Sequence, residues 1–256
     1  MKKIILKVAL LACAAIAGNV HAVGVSGQGT WETTLLGRDI TGKAVASNDA
    51  SSVFLYDTTL NITWLRDANS NGVMTWDQAI AWANSLNNNA AYGSLTGWRL
   101  PTMIDTGTPG CNSANSGTDC GYNVQTKSGN LTQYQVGQTV YSEMASLFYE
   151  TLGNKAYFSP AGVFQPDYGL SNEGAFQNLQ LYYWSGLEYA PDTGSAWYFN
   201  TSVGGGGYNA KPNSLYALAL RSGEVLAAPI PESETYALML GGLAVVGVAA
   251  RRSNAA

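Results

Sequence analysis

The sequence predicts an α+β domain: two helices and small antiparallel sheets, joined by long loops. Three observations predict it. A capped amphipathic stripe begins at Thr75. A second helical stripe runs from about Ser142 to Leu152. Short alternating apolar runs, bounded by turn residues, lie before, between and after them.

The elements are read in chain order. Residues 23–51 form a polar extension, with a strand near Thr30–Leu36 anchored by Trp31. Ser52–Asp57 and Asn61–Leu65 are two apolar runs separated by Thr58-Thr59-Leu60, which reads as a hairpin. Thr75 and Gln78 form a capping-box pair. Trp76, Ala79, Ile80, Ala83 and Leu86 then recur on one helical face, and Asn87-Asn88-Asn89 ends the helix. Pro101 keeps Leu100 extended and lacks an N–H, so Gly97–Thr102 is an edge strand or a rigid corner. Residues 105–138 read as mainly irregular. In the second helix Met144, Leu147, Phe148 and Leu152 face inward, and Gly153 suits the position just past its end. Ala156–Ser159, Leu181–Trp184, Ala196–Thr201 and Tyr216–Arg221 are short strands, with Gly204–Gly207 as a flexible hairpin tip. No repeat of 20–50 residues is apparent.

Both ends read as sorting segments. Lys2 and Lys3 precede an apolar run from Ile4 to Ala17, and Val20-His21-Ala22 offers a signal-peptidase site, so residues 1–22 read as a signal peptide. Leu10-Leu11-Ala12-Cys13 partly resembles a lipoprotein box, and that alternative stays open. At the other end, residues 223–235 are a linker carrying Pro231 and Glu232. Residues 236–256 hold an apolar run from Tyr236 to Ala250, then Arg251 and Arg252. The run is shorter than the ~20 residues of a full span, and the arginines mark its cytoplasmic side. This tail resembles the PEP-CTERM sorting signal, with Ser233 where a second proline usually stands. The resemblance implies an exosortase-type membrane protease as partner and transient anchoring in the inner membrane by the C-terminal helix. It also implies delivery to the outer surface or extracellular matrix of a Gram-negative bacterium that makes exopolysaccharide.

Composition narrows the partners. Only 12% of the 256 residues are charged. Between residues 23 and 235 there are eight basic and 17 acidic residues, a net charge of −9. Such a body has no electrostatic footprint for nucleic acid. Divalent cations and neutral glycans are more natural partners, although the charge also serves solubility alone. After leader removal only Cys111 and Cys120 remain, close together in a polar stretch. In an oxidising compartment they are expected to form a disulfide. The only histidine is His21, in the leader, which argues against zinc.

Several motifs in order carry a second resemblance. They are Asp57–Trp64, the Thr75-Trp76 helix start, Gly97-Trp98-Arg99-Leu100-Pro101-Thr102, Tyr183-Trp184-Ser185-Gly186, Ala196-Trp197-Tyr198-Phe199 and Tyr216–Arg221. Together they are similar to the Lcl C-terminal-domain family of bacterial exported proteins, over residues 52–222. The resemblance implies a C-type-lectin-like fold and an adhesin-like or ligand-binding role without a catalytic residue set. It also implies that the Cys111–Cys120 region is an insertion. Trp64, Trp98, Trp184 and Trp197 read as core or as a ligand platform. Arg99 and Arg221 are expected to pair with Asp57 or another carboxylate.

Candidate chemistry is sparse. Asp67-Ala68-Asn69-Ser70-Asn71-Gly72 matches the opening of a calcium loop, with donors at Asp67, Asn69, Asn71, the Val73 carbonyl and Thr75. Gln78 replaces the closing glutamate, so the one cofactor suggested is a weakly bound calcium ion. The alternative is an Asn/Gly turn before a helix. Gln165-Pro166-Asp167 spells a lectin calcium triplet, but the matching downstream partner reads Trp184-Ser185-Gly186. The absence of histidine beyond the leader removes Ser-His-Asp and Cys-His mechanisms. A glycosidase pair among Glu173, Glu188, Asp167 and Asp192 is the remaining enzymatic option. Tyr182, Tyr183, Tyr189, Trp197, Tyr198 and Tyr208 cluster late in the chain. Of these, Tyr183, Tyr189, Trp197 and Tyr208 are the expected ligand contacts for an exopolysaccharide or other glycan. The alternatives are a structural matrix protein and a carboxylate-based hydrolase.

Overall fold

The computed structural model describes residues 24–105, 114–115, 119–126 and 142–226. The expected signal peptide, most of the 105–138 insertion with Cys111, and the tail with Pro231, Glu232, Arg251 and Arg252 lie outside the described residues. Among the described residues no helix is long and apolar enough to cross a membrane.

The chain opens with α1 (Trp31–Thr34), β1 (Leu35–Arg38) and β2 (Ala44–Val45). The strand expected at Thr30–Leu36 therefore starts later. The Thr30 carbonyl accepts from the backbone N–H groups and the hydroxyls of both Thr33 and Thr34. Local side-chain bonding of this kind closes a helical turn in place of an extended chain. The expected hairpin forms from β3 (Phe54–Asp57) and β4 (Ile62–Leu65). Then come β5 (Val73–Met74) and α2 (Trp76–Ser85). Thr75 caps α2 with the reciprocal Gln78 bond that the sequence predicts. Ala79, Ala83 and Leu86 are buried on its inner face, with Trp76 and Ile80 packed beside them.

Gly97–Thr102 is the rigid corner rather than a strand, with one isolated bridge, where Arg99 meets Leu220. Next come β6 (Gly121–Tyr122) and α3 (Glu143–Ala145), which continues as a π-helical turn, Ser146–Thr151. The wide turn is visible where Leu152 N–H donates to Leu147 O at 2.9 Å. Met144, Leu147, Phe148 and Leu152 are all buried, as the stripe requires. Gly153 takes φ +65°, and a Cβ there would lie 2.5 Å from Gly29 N. The helix end can therefore receive the N-terminal segment only as glycine against glycine.

The last third supplies β7 (Tyr182–Glu188), β8 (Ser195–Asn200), β9 (Gly205–Ala210), β10 (Leu215–Tyr216) and β11 (Leu220–Ser222). Ala156–Ser159 is not a strand: it makes one isolated bridge, at Phe158, and another lies just before it at Lys155. The glycine run is not a hairpin tip either, because Gly205–Gly207 lie inside β9. Tyr216–Arg221 splits between sheets, crossing through buried Ala217, Leu218 and Ala219.

One sheet has the order β11-β4-β3-β1-β2, and the other has the order β5-β10-β7-β8-β9-β6. The first is antiparallel, and the second is mixed through the parallel β10–β7 pair. The protein is thus α+β with few helices. The main core joins Leu55 and Trp64 of the first sheet, Leu147 and Phe148 of the third helical segment, and Tyr183 and Phe199 of the second sheet. α2 packs on the opposite face of the second sheet, against Trp184 and Ala196. Trp64, Trp98, Trp184 and Trp197 are each no more than 2% exposed, so all four are core.

Buried polar groups join these layers. Arg99 pairs with Glu143 through two contacts of 2.7 Å. Arg66 donates to the carbonyls of Asp49, Ser52 and Ala175. Arg221 also turns to carbonyls, those of Thr96 and Glu224, rather than to the expected carboxylate. Asn172 is fully buried. It accepts from Val25 and Gly174 N–H and donates to the Gln28 and Leu152 carbonyls, holding the start of the domain in place.

Asp57 closes the β3–β4 turn. Its Oδ1 accepts from Thr59 and Leu60 N–H at 2.9 and 3.1 Å. Its Oδ2 is buried without a hydrogen bond of normal geometry, as is the Trp64 indole nitrogen. Burial pushes the carboxyl up to about 6, against the opposing pull of the Leu60, Thr59 and Trp64 donors. The folded state therefore holds this proton more tightly than the unfolded chain does. The native state should gain up to about 3 kcal/mol from this group as pH falls from about 7 to about 4. Chemical denaturation across that range should show this gain in the native protein and its loss in Asp57→Asn, which keeps the Oδ1-type acceptor.

Candidate functional site

The groove of interest crosses β8, β9 and β6. Gly205, Gly206 and Gly207 form its floor, and Tyr122, Tyr198 and Asn200 stand around it, enclosing about 370 Å³. Its shape follows from register. Gly207 lies opposite Tyr198, and Gly205 lies opposite both Asn200 and Tyr122. Directly paired residues project to the same face of a sheet. Each of these larger side chains therefore has an empty position beside it. A Cβ at Gly207 would come within 3.0 Å of the Tyr198 hydroxyl, and one at Gly205 would lie 3.8 Å from the Tyr122 ring. On the reverse face a Cβ at Gly206 would meet Asp119 O at 2.8 Å and Val124 Cγ2 at 2.9 Å. The glycines thus do two things: they open the floor, and they let the strand lie close to the segment behind it.

The walls are held in place. Tyr122 lies near Tyr157 at 6.2 Å between ring centres and meets the edge of Phe158 at 5.5 Å. Asn123 donates its side-chain amide to Asn115 O and Phe158 O. Tyr149 accepts from Asn123 N–H and donates to Gly204 O, tying β6 to the start of β9. Cys120, just before β6, is disulfide-bonded, and its partner lies outside the described residues. Burial raises the Tyr198 phenol above its ordinary value, so its hydroxyl stays neutral and available for hydrogen bonding. Tyr208 is 38% exposed and stacks on Tyr189 at 4.0 Å with planes 1° apart.

The four expected ligand aromatics therefore have different roles. Tyr208 alone reaches solvent, but it pairs with Trp197, so its ring lies on the opposite face of the sheet from Tyr198. Tyr183 is enclosed, its hydroxyl donating to Ala68 O and accepting from Gln180 N–H. Tyr189 is 3% exposed, with one face on Tyr208 and an edge-to-face contact with Trp197. Trp197 donates its indole N–H to Asp105 at 2.8 Å. Protein covers the faces that a ligand needs on Tyr183, Tyr189 and Trp197, so these three support the site from behind. Tyr122, Asn200 and the glycine floor were not expected as site residues. The available signal was the four-glycine run Gly204–Gly207 directly before Tyr208, a pattern equally suited to a loop.

The Asp67 loop differs from the expected calcium array. Asp67 Oδ1 accepts from Asn69 N–H and from the Asn178 amide. Val73 enters β5, and the Thr75 hydroxyl is used in the α2 cap. Asn71 is exposed. Asn69 Oδ1 and Ser70 Oγ are buried without hydrogen-bond partners. Among the described residues no group of three or more His, Cys, Asp or Glu side chains is placed to hold a metal. In the lectin-like triplet Gln165 donates to Ala156 O and Asp167 pairs with Lys155.

The remaining carboxylates do not assemble either. Glu188 pairs with Lys211. Asp192 accepts from Gly194 N–H and Ser195 Oγ. Glu173 is 5% exposed. A broader hollow of about 580 Å³ lies between α1, β1 and β2. Its charged groups are bound internally, Arg38 to Glu224 and Glu32 to Ser26 and Gly27. It offers one aromatic side chain, Trp31, against two, Tyr122 and Tyr198, around the glycine floor. Comparison with protein families, with curated proteins and with solved structures gives no match to this chain.

The reverse-face contact makes a direct prediction. Gly206→Ala must displace the Asp119 backbone and should cost roughly 1–3 kcal/mol of stability, the usual penalty for overpacking. Chemical denaturation measures this, and a variant as stable as the native protein contradicts the packing described.

Proposed function

We propose that this chain is an exported, non-catalytic binding module that takes a neutral polysaccharide of the cell envelope or matrix into the groove over Gly205–Gly207. The groove itself carries the reading: a flat floor bordered by tyrosine faces, a tyrosine hydroxyl and a side-chain amide. Aromatic faces with a few polar groups suit the apolar faces and hydroxyls of a sugar. The net charge of −9 between residues 23 and 235 disfavours anionic polymers. Few, short helices and two sheets are compatible with the C-type-lectin-like fold that the Lcl resemblance implies. The leader and the PEP-CTERM-like tail support export, handling by an exosortase-type protease, and residence at the surface of a Gram-negative cell. A structural matrix role is the second reading, favoured by the burial of Tyr183, Tyr189 and Trp197 in the core. A hydrolase is disfavoured because Glu188, Asp167 and Asp192 each have a separate partner.

Titration calorimetry with neutral oligosaccharides tests the binding reading. Tyr198→Ala should weaken binding by about 1 kcal/mol, several-fold in Kd, while Tyr168→Ala, exposed outside the groove, should not. Absence of binding to neutral glycans, or binding as tight as the native protein's by both Tyr198→Ala and a groove-filling Gly207→Val, favours the structural reading instead.

Calcium belongs to the proposal as a weak peripheral ion at Asp67, Asn69 and Asn71. Asn69 Oδ1, buried and unpartnered, is the supporting observation. Thermal unfolding should then shift upward with millimolar calcium over chelator in the native protein, and the shift should vanish in Asp67→Ala. An unchanged transition in the native protein removes calcium from the account.

A further inference from the structure

We propose that Asn71 is a site of spontaneous deamidation in the folded protein. Asn71-Gly72 is the only Asn-Gly pair in the chain. The pair lies in the turn between β4 and β5, and Asn71 is exposed. Neither the Asn71 side chain nor the Gly72 N–H takes part in a hydrogen bond among the described residues. Gly72 has φ +67°, and a Cβ built there meets nothing within 4 Å. The attacking nitrogen is thus unbonded, its neighbour carries no side chain, and the space around it is open.

Other asparagines lack this combination. Asn172 is fully buried with both side-chain ends occupied. Asn87 donates to Asn84 O and accepts from Trp98 N–H. Asn213 is followed by Ser214 and donates its amide to Asn209 at 2.7 Å.

The chemistry needs only water and a base. The Gly72 amide nitrogen gives its proton to the base and attacks Cγ of Asn71. A bond forms between that nitrogen and Cγ, the bond from Cγ to the side-chain nitrogen breaks, and ammonia leaves. The product is a five-membered succinimide. Water then adds to one of its two carbonyls and reopens the ring to aspartate or to isoaspartate. Nothing is oxidised or reduced. Either product puts a second carboxylate into the loop that already holds Asp67. Isoaspartate also routes the backbone through the former side chain, just before the Thr75 cap of α2.

The test is incubation of the folded protein at mildly alkaline pH, followed by digestion and mass spectrometry. The thermally unfolded chain and a peptide spanning the loop serve as references. Asn71 in the folded protein should convert within a few-fold of the peptide rate, with ammonia released in proportion. Asn87 and Asn213 should stay as amides over the same interval, and Asn71→Gln should abolish the signal. Persistence of the Asn71 amide in the folded protein while the peptide converts overturns the proposal. So does conversion of Asn213 at the same rate as Asn71.

Discussion

Glu143 sits in the first turn of α3, 5% exposed, and receives three short hydrogen bonds. Two come from the Arg99 guanidinium and one from Thr102 N–H, all at 2.7 Å. The Glu143 N–H returns a bond to Thr102 O, and the Arg99 backbone pairs in both directions with Leu220. A single carboxylate thereby ties the third helical segment to the Gly97–Thr102 corner, and the corner to the first sheet. The second sheet joins at Pro101, whose carbonyl accepts from both Ser185 Oγ and Gly186 N–H. The pairing is unequal in exposure, with the Arg99 side chain 36% exposed and that of Glu143 6%. Loss of the arginine leaves a buried anion short of donors, whereas loss of the glutamate leaves a cation that water can reach. The first is the more damaging change.

This junction lies directly behind the groove. A void of about 10 Å³ is lined by Pro101, Thr102 and Ser142 on one side and by Tyr198 and Gly206 on the other. The floor is therefore backed by fixed structure, not by a free loop. On the reverse face Tyr189 packs on both Tyr208 and Trp197, and Asp105 fixes Trp197 through its indole N–H. A preformed surface of this kind suits binding, because less order has to be imposed when the ligand arrives.

Much of the fold was legible in the sequence. The Thr75–Gln78 cap, the stripes at Ala79–Leu86 and Met144–Leu152, and the β3–β4 hairpin follow from local pattern alone. The π-turn after Ala145 was not legible, since an inward stripe reads the same when one turn is widened. Gly205–Gly207 were misplaced because glycine runs signal loops. Here close backing by Asp119 and Val124 requires glycine at 206 inside a strand, and that contact is set by tertiary structure. The late aromatics were legible as a cluster but not by role. Alternation puts Tyr198 and Trp197 on opposite faces, yet only the packed structure tells which face is covered.

The central claim is that a neutral glycan lies on the glycine floor. Backbone amide shifts of the labelled protein, followed by NMR during titration with a neutral oligosaccharide, test it most directly. The account predicts that the largest shifts fall at Gly205, Gly206 and Gly207 and at Tyr208. Shifts centred on the Asp67–Gly72 loop or on the hollow beside Trp31, or none at saturating sugar, contradict it.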